Sequence, residues 1–219
     1  APGKAPRGIM ETYTKAHSAE YQAQALIDLA CEVREDIDVD EVDQIILHTS
    51  HHTHSVIGTG SNDPQKFDPT ASRETLDHSA MYILAVALED GRWHHEDSYA
   101  PHRAARPETV SLWNKIETRE DADWERRYHD PDPAKRAFGG RLEVIMRDGT
   151  IVEASKDVAD AHPNGVAPWT WSDYVRKFDA LMRDVIDASE RDRFIVAASG
   201  LDELSADEIG TLNPILPAD

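Results

Sequence analysis

The stretch Leu142-Glu-Val-Ile-Met-Arg-Asp-Gly-Thr-Ile-Val-Glu-Ala154 decides the fold class. Apolar and polar residues alternate on either side of Arg147-Asp-Gly-Thr150, and alternation with period two is the signature of an extended chain with one buried face. The Gly-containing turn at its centre predicts a β-hairpin. Working outward, Gln44–Thr49 is rich in Ile and Leu and predicts a further strand. The rest of the chain before the hairpin mixes helices with long loops. Glu74–Asp90 puts Leu76, Ala80, Ile83, Leu84, Ala87 and Leu88 on one face, with His78 and Tyr82 on the opposite edge and Gly91 just past the end. Ser18 is a fair N-cap for a helix carrying Ala19, Ala23, Leu26, Ile27 and Ala30, with Gln24 and Asp28 on its other face. Pro107 opens another helix that runs through about Glu117. His51–Pro69 reads as a long loop and Thr118–Pro133 as a charged, irregular connection. Strands and helices mixed in this way predict an α+β unit.

A Pro/Gly segment near Pro163–Pro168 marks a boundary, beyond which the pattern is all helical. Phe178, Leu181, Met182, Val185 and Ile186 form one amphipathic stripe, Phe194–Ala198 a second helix, and Ser205-x-x-Glu208 a capping box for a short third. The expected organisation is a linker over 1–8, an α+β domain over 9–168, and a helical segment over 169–219. Three short helices bury little alone, so this segment is expected to dock on something larger.

Composition excludes several functions. Lys and Arg number 23 against 42 Asp and Glu, a net charge of −19, which repels nucleic acid and anionic membranes. No apolar run approaches the ~18 residues of a membrane span. The N-terminal Ala-Pro-Gly-Lys-Ala-Pro-Arg-Gly lacks an apolar core and is not a secretory signal. The one cysteine, Cys31, excludes an internal disulfide and a cluster or zinc-thiolate site built by this chain alone. The reducing cytoplasm is the expected compartment.

Five words of the sequence resemble the MmgE/PrpD family. They are Lys15-Ala-His-Ser-Ala-Glu-Tyr-Gln-Ala-Gln24, Val56-Ile-Gly-Thr-Gly-Ser-Asn-Asp-Pro-Gln-Lys66, Ser72-Arg-Glu-Thr-Leu-Asp-His-Ser-Ala-Met-Tyr82, Trp93-His-His-Glu-Asp-Ser-Tyr-Ala-Pro101 and Lys135-Arg-Ala-Phe-Gly-Gly-Arg141. The resemblance implies a two-part enzyme in which a lid domain, residues 9–168 here, is inserted before the last helices of a large helical domain. Residues 169–219 would complete that helical domain. Its N-terminal half would be the partner, and the active site would lie between the two parts. The implied activity is a cofactor-free, cluster-independent hydro-lyase reaction, converting 2-methylcitrate to 2-methyl-cis-aconitate in propionate catabolism. Decarboxylation of cis-aconitate, or a non-catalytic lid that only binds, are the alternatives. Self-association into a homo-oligomer is also implied.

Carried over residue by residue, the resemblance implies catalytic roles for Lys15 and Tyr82. Gln24 stands where the family often has a histidine. Arg73, His78 and Arg103 lie in family-like words and are candidate ligands of substrate carboxylates. Dehydration of a 3-hydroxy tricarboxylate needs a base for the proton α to a carboxylate, an acid for the leaving hydroxyl, and cations for the carboxylates. In this reading Tyr82 assists proton transfer, while Lys15 and an arginine hold carboxylate charge. Without the resemblance, Lys15 would be a solvated loop lysine and Tyr82 an ordinary half-buried aromatic.

No metal site is expected. His51, His52 and His54 crowd the end of a strand and His94-His95 form a pair, but neither set has the i,i+4 spacing of a zinc-binding helix. The five tryptophans read as packing anchors. Arg126-Arg127 and Lys135-Arg136 read as solvated charges, and Cys31 as a small buried hydrophobe.

Overall fold

The computed structural model describes residues 12–217. The expected linker over 1–8 lies outside the described residues. The chain divides into two compact units, Ala1–Pro168 and Trp169–Asp219.

The first unit runs α1 (Gln24–Val33), β1 (Val42–Thr49), α2 (His51–Val56), α3 (Arg73–Asp77), α4 (Ala80–Asp90), α5 (Pro101–Ala104), α6 (Pro107–Trp113), β2 (Ile116–Glu120), α7 (Ala122–Tyr128), β3 (Gly140–Met146) and β4 (Ile151–Lys156). Short 3-10 turns join several of these. The strands form one mixed sheet in the order β2-β1-β3-β4, with β1 parallel to β2 and antiparallel to β3. The expected hairpin is present: β3 pairs with β4 from Gly140↔Lys156 to Ile145↔Ile151. Gly149 sits in its turn at φ 87°, where a Cβ would be strained. The α+β expectation holds.

The sheet is two-faced because its strands alternate. Ile45, Leu47, Ile116, Leu142 and Val144 are buried, and α1 and α4 pack together in the same core. Arg119, Arg141, Glu143 and Glu153 point the other way and lie in or near water. Every residue from Ala80 to Leu88 is buried, so α4 is enclosed on all sides. Gly91 ends it at φ 64°, with its N–H donating to Ala87 O at 2.9 Å.

Five expectations change. The helix over Glu74–Asp90 is two helices, broken at His78–Ser79, because Ser79 leaves helical geometry to cap α4. The loop over His51–Pro69 contains α2, capped by Ser50, which accepts from Thr53 N at 3.2 Å. The helix from Pro107 stops at Trp113, and Ile116-Glu-Thr118 joins the sheet as the start of β2. The charged stretch from Thr118 carries α7, whose cap Asp121 accepts from Asp123 N at 2.9 Å and Trp124 N at 3.3 Å. Ser18 caps nothing. Glu20 takes that place, ahead of a 3-10 turn at Tyr21–Ala23 that leads into α1.

The second unit holds α8 (Trp171–Met182) and α9 (Ala188–Ser199). Thr170 and Asp173 form a reciprocal capping box on α8. Phe178 and Phe194 stack at 4.7 Å between ring centres. No residue of either helix is buried, and Ile186 between them is the large apolar residue that is, at 4% exposed. The Ser205–Glu208 box closes, with Ser205 Oγ donating to Glu208 Oε2 at 2.6 Å, but only a 3-10 turn at Ile209–Leu212 follows it.

Candidate functional site

The break between α3 and α4 is held by a residue that sequence reasoning passed over. Lys66, 6% exposed, donates from Nζ to His78 O at 2.6 Å. Ser79 Oγ donates to Lys66 O at 2.8 Å while accepting from Tyr82 N at 3.2 Å. The amine and the carbonyl of Lys66 thus bridge the two residues where the helix is interrupted. Burial pushes the Lys66 amine below its ordinary pKa, against a smaller opposing pull from Asp63. The only sequence signal for it was its place at the end of a shared word, next to Phe67, which stacks on Trp113.

Beside this junction the segment carrying Lys15 is tied down. Ser18 O lies 2.9 Å from the Tyr99 hydroxyl and accepts from Trp93 Nε1 at 3.2 Å. The Tyr99 hydroxyl also bonds the Asp77 carboxylate of α3, and the Arg73 guanidinium lies over the Tyr99 ring, 4.6 Å from its centre. Burial and Asp77 both push the Tyr99 hydroxyl far above the ordinary phenol range. Lys15, three residues before Ser18, is exposed, as is Arg73. The His78 ring is exposed and bonds Glu74 O at 2.9 Å through Nδ1. The structure therefore ties Lys15's segment to α3, the helix that carries Arg73 and ends at His78.

Two expected site residues lie elsewhere. Tyr82 is fully buried, its ring 4.9 Å from Trp113 and 6.4 Å from Trp93, and its hydroxyl donates to Ser98 O at 2.5 Å. Burial pushes its pKa up to about 12. Its phenol faces the interior and not the surface that carries Lys15, which corrects the expectation that Tyr82 itself assists proton transfer. Arg103, 7% exposed, donates to Asp90 through Nε at 3.0 Å, to Glu89 through Nη2 at 2.7 Å and to Thr109 through Nη1. That internal clamp leaves it no fork for a substrate carboxylate, a second correction. Gln24 has a different task from the one its position suggested. Its amide brackets the backbone of residues 17–20, accepting from His17 N at 2.9 Å and lying 3.0 Å from Ala19 O. His17, not Gln24, pairs with Asp28, at 2.7 Å.

A profile described as the MmgE/PrpD C-terminal domain matches residues 17–203, most of the chain. The chain belongs to the MmgE/PrpD family. A relative from Yarrowia lipolytica named "2-methylcitrate dehydratase, mitochondrial" is 28% identical over 140 residues, 62% of this chain and 25% of the relative. A second, from Cupriavidus necator and named "2-methylcitrate dehydratase", is 36% identical over 88 residues, 40% of this chain and 18% of the relative. The matched regions span a quarter or less of these relatives' length.

The histidines of α2 are engaged within this MmgE/PrpD domain. His51 to His54 lie on α2, not on an extended segment: His51 Nδ1 bonds Glu120 at 2.9 Å, His52 packs on Tyr128, and His54 Nδ1 bonds Thr118 Oγ1 at 2.7 Å. No helix among the described residues is long and apolar enough to cross a membrane. Near the α3–α4 junction Arg73 is exposed over the Tyr99 ring, His78 ends α3, and Lys15 is exposed on the segment that Tyr99 and Trp93 hold through Ser18 O. Such an arrangement can hold carboxylates, and its fixed backing lowers the cost of ordering those long side chains.

Proposed function

We propose that this chain is the lid-side part of a 2-methylcitrate dehydratase, removing water from 2-methylcitrate to form 2-methyl-cis-aconitate in the methylcitrate cycle. The dehydratase names of the relatives support the reaction class. The observation that carries the reading to particular residues is the Ser18 carbonyl held at once by Tyr99 and Trp93. In this reading that contact keeps Lys15 on the same side of the lid as Arg73 and His78, and these three bind the substrate's carboxylates. As the proton α to a carboxylate leaves, negative charge grows on that carboxylate, and a fixed cation stabilises it more in the transition state than in the ground state.

Tyr82 enters as a positioning residue. Its hydroxyl holds Ser98 O, and Ser98 precedes Tyr99, on whose ring Arg73 rests. The proton-transfer groups are supplied by an N-terminal helical half of the same enzyme, which packs against this lid and against the apolar side chains of the second unit. The working form is a homo-oligomer in a reducing compartment, the cytoplasm, where the thiol of Cys31, pushed up to about 11 by burial, stays unreactive.

The test is elimination from 2-methylcitrate by this chain joined to that helical half, read by ultraviolet absorbance of the conjugated product. Lys15→Ala and Arg73→Gln should each raise KM and lower kcat/KM by about a hundredfold, the weight of one charge-assisted carboxylate contact. Tyr82→Phe should lower kcat with a smaller change in KM. Unchanged rates in both Lys15→Ala and Arg73→Gln would reject the assignment.

A further inference from the structure

The two basic pairs that the sequence presents as separate solvated charges come together in three dimensions. Arg126 and Arg127 end α7, Lys135 and Arg136 lie on the connection to β3, and the four line one cavity of about 320 Å³ with Asp130 and Asp157. Arg126 and Lys135 are paired on the rim with Asp123 and Asp132, so four cations meet four carboxylates here and cancel locally the acidity of a chain whose net charge is −19. None of these residues belongs to the surface at the α3–α4 junction.

The pairs are not equally satisfied. Arg126 bonds Asp123 at 2.6 Å and Lys135 lies 3.6 Å from Asp132, both on the exposed rim. Arg127 is half-buried, stacked over Trp124 at 4.7 Å and paired with Asp157. Arg136 is held by its Nε, which donates to Asp130 O at 2.7 Å. That bond fixes the guanidinium plane through one edge and leaves the two terminal nitrogens with no carboxylate partner within 4.0 Å among the described residues. Asn164 also lines the cavity, its amide 3.4 Å from Pro133 O. An arginine oriented through Nε in the wall of a cavity, with no carboxylate on its terminal nitrogens, can take up an oxyanion in a bidentate manner.

We propose that this cavity binds a small multivalent oxyanion, a phosphate or a polycarboxylate, with Arg136 as the fork and Arg127, Arg126 and Lys135 as surrounding charge. A monovalent anion would gain one contact and lose most of the field, so valence is the basis of selection.

The test is calorimetric titration of the 219-residue protein at low ionic strength with inorganic phosphate, pyrophosphate and citrate, with acetate as the monovalent control. Saturable binding of at least one multivalent anion, and none of acetate, is expected. Phosphate and pyrophosphate without citrate would identify a phosphate site, and the reverse a polycarboxylate site. Arg136→Gln should weaken binding about tenfold, the loss of one charged fork. The double variant Arg126→Gln/Lys135→Gln alters only rim side chains, which are 65% and 69% exposed, and should weaken it by a smaller factor with the fold intact by circular dichroism. Arg73→Gln separates this cavity from the proposed substrate surface and should leave the binding unchanged. Absence of saturable heat with all three multivalent anions, or binding indifferent to both Arg136→Gln and the rim double variant, or binding lost in Arg73→Gln alone, would overturn the proposal.

Discussion

The two units of this chain have similar helix-forming patterns and very different interiors. In the first, Tyr82, Trp113, Leu26, Ile45, Leu84 and their neighbours lie at or near zero exposure around a four-stranded sheet. In the second, two helices of 12 residues each bury no side chain of their own, and Val196, Leu201, Ile215 and Leu216 stand more than half exposed. Caps and amphipathic stripes are local properties, and both units have them. Burial is not local, and only the first unit supplies both sides of its own core. Hydrophobic burial is the dominant favourable contribution to folding, so the difference is one of stability more than of secondary structure.

The largest expected consequence is in backbone opening. Native-state hydrogen exchange should show the amides of α4 opening only with global unfolding, while those of α8 and α9 open locally. Protection factors should differ by about a thousandfold, or ~4 kcal/mol. Equal protection across both units would break the comparison. Adding the helical half proposed as partner should raise protection in α8 and α9 and leave α4 unchanged.

Ion pairs sharpen the same contrast. Arg103→Ala takes from the Glu89 carboxylate, 8% exposed at its side chain, its buried guanidinium, leaving it Thr109 and the more exposed Arg106, and strands Asp90 beside it. Loss of a buried pair of this kind costs about 3–5 kcal/mol, read as a lower midpoint in urea. Arg183→Ala in the second unit removes a partner of Asp179 at a site where both side chains are more than a third exposed, and should move the midpoint little. A third substitution, Tyr82→Phe, deletes the hydroxyl that satisfies Ser98 O in the core of the first unit. It should cost about 1–3 kcal/mol, the penalty for a buried acceptor left unpaired. With its pKa pushed up to about 12, the same tyrosine should give no phenolate absorbance until well above the pH at which exposed tyrosines ionise.

Much of this was legible in the sequence, and the failures share a cause. The hairpin, β1, the end of α4 at Gly91 and the Ser205–Glu208 capping box rest on local chemistry, and they were found. The break at His78–Ser79 was not, because it depends on Lys66 reaching across from a segment twelve residues earlier. The strand β2 was missed for the same reason: Ile116-Glu-Thr118 is too short to declare itself and is a strand because β1 offers it a parallel edge. At the candidate site, Arg73, His78 and Lys15 could be carried over as words, but Tyr82 and Arg103 could not be placed. Whether a tyrosine or an arginine faces substrate or interior depends on what packs over it, and Ser98, Trp113, Glu89 and Asp90 are supplied by other parts of the fold.

The smallest effect tests Lys66, a buried cation whose partner is a carbonyl and not a carboxylate. Lys66 holds its proton less tightly in the folded chain than its ordinary value of 10.5, because burial disfavours the charged amine. Between the folded value and 10.5 the unfolded chain therefore binds more protons, and stability should rise with pH across that window. The buried hydroxyls of Tyr82 and Tyr99 and the thiol of Cys31 are shifted upward, so the unfolded chain loses those protons first and their contributions fall as pH rises. The observed slope mixes both signs. Lys66→Met separates them, since it keeps the length of the side chain and removes the titration. It also leaves His78 O without its amine, which lowers stability by an amount that does not vary with pH and so drops out of the slope. Urea midpoints of the two proteins, compared from neutral pH to about 10.5, should show the native protein gaining on the variant as pH rises. Parallel curves would mean that Lys66 is not desolvated in the folded chain, and that the α3–α4 junction is wetter than the rest of the first unit's core.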